Sequence, residues 1–207
     1  EVKLTEPTNV KQKYFECHLS KLRLILKDIS VEVMGVIFPI LSKISTLVDA
    51  KIWLVNVREK DVFYLIKNLP NLKFLKQFYF YLSEEYHGSS GSLLSSLSRS
   101  LTKLVYLKSV VIIFDFKEDL INILDDSEDR EFHPPINLEE VDLCFINCDE
   151  LILESLPLIL KSFLYESGGL TRLSLLLTGC ETRICEQSFE ILRHQIPKMT
   201  LFKDLTL

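Results

Sequence analysis

One hydrophobic phrase recurs along the chain: an apolar residue, two of any kind, a second apolar residue, one of any kind, and a third. It reads Leu19, Leu22, Leu24; Leu47, Ala50, Ile52; Leu75, Phe78, Phe80; Leu107, Val110, Ile112; Leu138, Val141, Leu143; Leu170, Leu173, Leu175; and Phe202, Leu205, Leu207. The starts lie 28, 28, 32, 31, 32 and 32 residues apart. Between phrases, Val31 to Ile44, Asp61 to Leu69, Leu93 to Leu104, Leu151 to Leu164 and Phe189 to Met199 space their apolar residues by three and four. That spacing predicts amphipathic helices. Pro70 and Pro197 each stand five residues before the next phrase, where a helix is expected to end. A strand-and-helix unit with a period of about 20–50 residues cannot bury its apolar face alone, so such units stack into an array.

Counting from the start of each phrase, the eighth position is also apolar: Leu26, Leu54, Leu82, Phe114, Phe145 and Leu177. Strand alternation then points positions four, six and eight inward together. This pattern of parallel strands and intervening helices resembles the leucine-rich repeat superfamily, over roughly residues 19 to 207, and within it the ribonuclease-inhibitor-like branch. The resemblance implies an α/β solenoid, with a curved parallel sheet on the concave side and helices on the convex side. The chain departs from that family's pattern at position nine, where Asn is usual and Lys27, Val55, Ser83, Asp115, Ile146 and Thr178 stand instead. Without an asparagine ladder the turns are expected to be irregular and the strands to run on by a residue or two. Position eleven, usually a buried Leu, holds Ile29, Val57, Glu85, Lys117, Cys148 and Cys180, which places Glu85 and Lys117 in longer loops.

The outward positions form three columns on the concave side. Position three holds Lys21, Asp49, Gln77, Ser109, Glu140, Arg172 and Asp204; position five Arg23, Lys51, Tyr79, Val111, Asp142, Ser174 and Thr206; position seven Ile25, Trp53, Tyr81, Ile113, Cys144 and Leu176. The last column is apolar throughout. An exposed apolar ladder marks an interaction surface, and Trp and Tyr are enriched at binding hot spots. The candidate partner-binding residues are therefore Arg23, Lys51, Trp53, Tyr79, Tyr81, Val111, Ile113 and Asp142. The alternative, that position seven is covered by adjoining chain or merely fills the sheet, stays open at this stage.

Charge and composition narrow the field. Lys and Arg number 24 and Asp and Glu 29, giving a net charge of -5; nucleic-acid binding needs a concentrated basic surface instead. The greasiest run, Val33 to Leu41, falls far short of the ~20 residues that span a bilayer, so no membrane insertion is expected. The odd number of cysteines, Cys17, Cys144, Cys148, Cys180 and Cys185, and the lack of any Asn-x-Ser/Thr sequon favour an intracellular, cytoplasmic setting. Cys148 and Cys180 share position eleven and should stack about 5 Å apart. Joined by Cys144 and Cys185 they would make a four-thiolate zinc set, but the reading adopted is small buried hydrophobes, with no cofactor.

Catalytic chemistry is hard to assemble. His18, His87, His133 and His194 fall at different repeat phases, and His87 to Ser92, although rich in Gly and Ser, has no Lys where a phosphate loop requires one. That stretch reads as a loop inserted before the third helix. The acidic run Asp125 to Glu131 lacks the alternating ligands and central Gly of a calcium loop and reads as a solvated loop, the sharper alternative being partner contact or phosphorylation at Ser127. The expectation is a single repeat domain over 1–207, with seven repeats starting near 19, 47, 75, 107, 138, 170 and 202, cut from a longer chain. Its expected role is non-enzymatic recognition of a protein partner, or of missing parts of its own chain, through the concave sheet. The resemblance implies two settings, an immune-receptor-type sensor or a ubiquitin-ligase substrate receptor. The alternatives are a structural spacer in a large assembly and a GTPase-activating domain using Arg58, Arg130 or Arg183.

Overall fold

A computed structural model describes residues 19–27, 31–41, 43–44, 46–83, 90–115, 137–148, 156–166, 169–180 and 182–207. Strands and helices alternate: β1 Lys21–Lys27, α1 Val31–Leu41, β2 Asp49–Val55, α2 Glu59–Asn68, β3 Gln77–Ser83, α3 Ser90–Leu101, β4 Ser109–Asp115, β5 Glu140–Ile146, α4 Leu156–Glu166, β6 Arg172–Thr178, α5 Thr182–Gln195 and β7 Asp204–Thr206. The strands make one parallel sheet in chain order from β1 to β7. Each begins at the third position of a phrase, and neighbours pair in phase, Leu22 opposite Ala50, Ala50 opposite Phe78, Phe78 opposite Val110. Just before the strands, the N–H of position two donates to the position-two carbonyl of the repeat before, from Val48 to Ser20 at 2.9 Å through to Lys203 to Thr171 at 2.8 Å. Like positions therefore stack into columns along the whole sheet.

Positions four, six and eight face the helices. Ala50, Ile52 and Leu54, Phe78, Phe80 and Leu82, Val110, Ile112 and Phe114, and Val141, Leu143 and Phe145 are all buried. They join Val62, Leu65 and Ile66 of α2, Leu93, Leu97 and Leu101 of α3, and Leu156, Leu160 and Phe163 of α4 in one apolar core. The three-and-four spacing on those helices supplies the stripe that meets the sheet. The central repeats use Phe where the outer ones use Leu: Phe80 meets Phe114 edge-on at 6.1 Å, and Phe114 stacks on Phe145 at 5.6 Å. Burying each such ring contributes about 1.5–3 kcal/mol. At the sheet's ends the same positions are less covered, Leu22 and Leu24 being half-buried and Leu205 exposed, since β1 and β7 each pair with one described strand.

The strands do run on, reaching position nine in β1 to β6. After β2, β5 and β6 the turn depends on position ten, where Asn56 and Asn147 have φ 51° and Gly179 φ 66°. These values lie in the left-handed region that Gly and Asn tolerate best, and a Cβ at Gly179 would collide with the Asn147 side-chain oxygen. The ladder continues one step into the turn, the Asn147 N–H donating to Thr178 O at 2.7 Å. Val57 and Cys148 at position eleven are buried and Cys180 is half-buried. The described turns after β2, β5 and β6 are thus held by a left-handed residue followed by a buried or half-buried one, in place of a side-chain amide ladder at position nine.

Helix ends differ from the sequence expectation in explicable ways. Pro70 and Pro197 sit in short 3-10 turns, Leu69–Asn71 and Ile196–Lys198, that follow α2 and α5. Helix α5 starts seven residues before Phe189 because its first two turns are mostly polar and carry little apolar period. The loop expected over His87 to Ser92 is corrected in part, since Ser90 to Ser92 already belong to α3. Glu85, Lys117 and the acidic run Asp125 to Glu131 lie outside the described residues.

Candidate protein-binding face

Positions three, five, seven and nine occupy the other face of the sheet, away from the helices, and the burial of β4 alternates residue by residue between the two faces. All eight residues singled out from the sequence lie on this open face, at positions five and seven of β1 to β5. The parallel register brings them side by side: Arg23 next to Lys51, Lys51 next to Tyr79, Trp53 next to Tyr81, Tyr81 next to Ile113 and Val111 next to Asp142. Position seven is surface in every described repeat. Ile25 is 57% and Leu176 48% exposed, while Trp53, Tyr81, Ile113 and Cys144 are half-buried by one another.

Aromatic contacts organise the β1 to β3 part of this face. The Arg23 guanidinium lies over the Trp53 ring at 4.9 Å, and Trp53 tilts against Tyr79 with ring centroids 4.9 Å apart. A cation above an indole is attracted by the ring's quadrupole, which holds Arg23 over the cluster while Lys51 stays fully exposed. Burial raises the Tyr79 hydroxyl pKa, partly opposed by a hydrogen bond with Trp53. The Tyr81 hydroxyl donates to Asp115 Oδ2 at 3.1 Å.

From β4 to β6 the face turns acidic. Glu140 and Asp142 both reach Arg172, at 3.4 and 3.3 Å. Burial raises the Asp142 carboxyl pKa, and Glu140 adds to this, while Arg172 pulls it down. Burial likewise raises the Cys144 thiol, with Asp115 beside it acting in the same direction. Charge is uneven along the face, with Lys21, Arg23 and Lys51 at one end and Asp115, Glu140 and Asp142 further on.

Other candidates are not brought together. Among the described residues no group of three or more His, Cys, Asp or Glu side chains could hold a metal ion, and no helix is long and apolar enough to cross a membrane. His194 lies on the exposed side of α5 with Nε2 3.4 Å from Glu190 Oε2; His18, His87 and His133 are outside the described residues. Arg58 stands just before α2, makes no side-chain capping bond, and pairs with Asp61 at 3.1 Å. Arg130, and the side chain of Arg183 on α5, lie outside the description.

Two features of the surface escaped the sequence reading. Position nine adds a fourth open-face column, with Val55, Asp115 and Ile146 half-exposed; continuing the alternation by two more residues would have found it. At the edge where the strands begin, the exposed rings of Phe74 and Tyr106 stack at 6.0 Å. Both stand one residue before a phrase, a position the phrase itself leaves unread.

No protein-family model and no curated protein matches this chain. Among solved structures, it is similar to the second actin-binding site of leiomodin-1, with 10% identity, TM-score 0.46, and coverage of 86% of this chain and 82% of that one. It is also similar to the tropomodulin C-terminal domain of Caenorhabditis elegans, with 11% identity, TM-score 0.42, and coverage of 88% and 87%. The expected place in the ribonuclease-inhibitor-like branch is corrected by these findings. The sensor and ubiquitin-ligase settings drawn from that resemblance find no support here.

Proposed function

We propose that this chain is a non-enzymatic recognition module, a leucine-rich-repeat-like solenoid over residues 1–207 whose open, concave sheet face binds a protein partner inside the cell. The single observation that carries the reading is the unbroken apolar column from Ile25 to Leu176, with its flanks exposed and Trp53, Tyr79 and Tyr81 gathered beside it. The central repeats do not need these side chains for their core, because β2 to β5 each bury three apolar residues on the other face. A contiguous apolar surface of this kind is rarely left bare unless something docks there, and aromatic anchors rimmed by charge are what hot spots are made of. The basic end at Lys21, Arg23 and Lys51 and the acidic stretch at Asp115, Glu140 and Asp142 fit a partner of opposite polarity, and would steer its approach more than tighten it.

The test is capture from cell extract by immobilised wild-type chain and by the Trp53→Ala/Tyr81→Lys double variant, with circular dichroism on both. The expected result is a partner held by the wild type and lost by the variant, with identical spectra. Hot-spot truncations of this type cost ~2 kcal/mol or more each, so the loss should exceed tenfold in affinity. Equal retention of the same partner by both chains would overturn the reading, as would loss of the variant's spectrum. Purified actin is included as one bait.

A further inference from the structure

Position eleven holds two thiols on adjacent turns. Cys148 and Cys180 follow strands β5 and β6 two residues beyond the paired Ile146 and Thr178, and the Asn147 N–H to Thr178 O bond keeps the two turns in register. Neighbouring strands lie about 4.8 Å apart, inside the Cα separation of about 4.4–6.8 Å that a disulfide bridges. The sulfurs sit at corresponding places on the two turns, Cys148 Sγ 3.8 Å from Phe114 O and Cys180 Sγ 3.4 Å from Phe145 O. Both thiols are reduced.

The two differ in access. Cys148 is only 3% exposed, whereas Cys180 is half-buried and follows exposed Thr178 and Gly179. A hydrogen bond from the Cys148 thiol to Cys180, opposed by burial and helped by backbone groups of Cys148 and Thr178, lowers the Cys180 thiol from 9.0 to about 7. Cys144, by contrast, is raised. A thiolate is the reactive form of cysteine, so the more accessible member of the pair is also the more acidic one.

We propose that Cys148 and Cys180 form a two-thiol modification site for hydroperoxides, at which Cys180 reacts first and Cys148 closes a disulfide that staples the fifth repeat to the sixth. In the first step the Cys180 thiolate attacks one peroxide oxygen. With hydrogen peroxide, an S–O bond forms, the O–O bond breaks, and the departing hydroxide takes a proton to leave as water. Cys180 is now a sulfenic acid. In the second step Cys148 gives up its proton and its sulfur attacks that of Cys180. The S–S bond forms, the S–O bond breaks, and a second water leaves. The two thiols lose two electrons to one hydroperoxide.

The site is tested on the reduced chain with hydrogen peroxide, differential alkylation and peptide mass mapping. The expected product is a Cys148–Cys180 link. Before oxidation, Cys180 should alkylate roughly tenfold or more faster than Cys144 at pH 7, the gain in thiolate outweighing its lower nucleophilicity. Its rate should reach half-maximum near the pKa of about 7. Cys148→Ser should leave a Cys180 sulfenic acid that dimedone traps, and Cys180→Ser should abolish the fast reaction. A Cys144–Cys180 link, absence of any link, or Cys180 and Cys144 alkylating at equal rates would each overturn the proposal. The mapping and the rate profile use the unsubstituted chain, so they decide the matter even if a variant misfolds.

Discussion

The two faces of the sheet are built from the same strands and both carry apolar columns, yet they differ in how those columns are covered. On the helix side, Ile52, Phe80, Phe114 and Phe145 are sealed from water, each ring or branched chain filling space between strand and helix. On the open side, Ile25 and Leu176 stand about half in solvent and Trp53 and Tyr81 are half-buried. Hydrophobicity alone therefore does not tell structure from function in this chain. What separates them is whether a second layer lies on top.

Truncations on the helix side should break the comparison most strongly. Phe80 is fully buried and contacts both Phe78 and Phe114, so Phe80→Ala should cost about 3–5 kcal/mol, the usual range for removing a core ring and leaving a cavity. Urea unfolding followed by circular dichroism measures it. A cost under ~1 kcal/mol would show that the central repeats are loosely packed.

Charges on the open face should matter much less. Arg172→Ala removes a half-exposed partner of Glu140 and Asp142, and exposed ion pairs contribute ~1 kcal/mol or less. The effect has a direction in pH. Asp142 already binds its proton more tightly folded than unfolded, so its contribution to stability is greatest in acid and falls as pH rises through the carboxylate range. Without Arg172 that fall should steepen, because the cation that pulls the pKa down is gone. Unfolding midpoints of both chains at acidic and neutral pH check this; a variant that loses more stability in acid would contradict it.

Much of the fold is legible in the sequence for a simple reason. A period-two strand phrase and a helical stripe are both written in apolar residues, and seven copies let each confirm the phase of the others, down to the in-phase pairing of Leu22 with Ala50 and Ala50 with Phe78. The turns are less legible. Asn56, Asn147 and Gly179 share position ten, but only their backbone angles reveal that this is where the chain turns left-handed. The open-face columns could be read as columns, yet exposure depends on what lies above them, which no strand pattern encodes. The ion pairs of Arg172 and the Tyr81–Asp115 hydrogen bond join residues from different repeats, and only the register between strands makes them neighbours. Branch membership was read from a general repeat pattern, and that pattern is shared too widely to decide it.

Ile52 and Trp53 are consecutive residues of β2 that point to opposite faces, Ile52 into the core and Trp53 into the open column. The most direct test of the account is to compare the unfolding free energies of Ile52→Ala and Trp53→Ala under the same conditions. Ile52→Ala is predicted to cost about 2–5 kcal/mol. Trp53→Ala, though it removes the larger side chain, is predicted to cost no more than ~1 kcal/mol, a value typical of positions outside the core. A Trp53→Ala cost equal to or above that of Ile52→Ala would mean that the open face holds the fold together, and would contradict its assignment as a surface kept for binding.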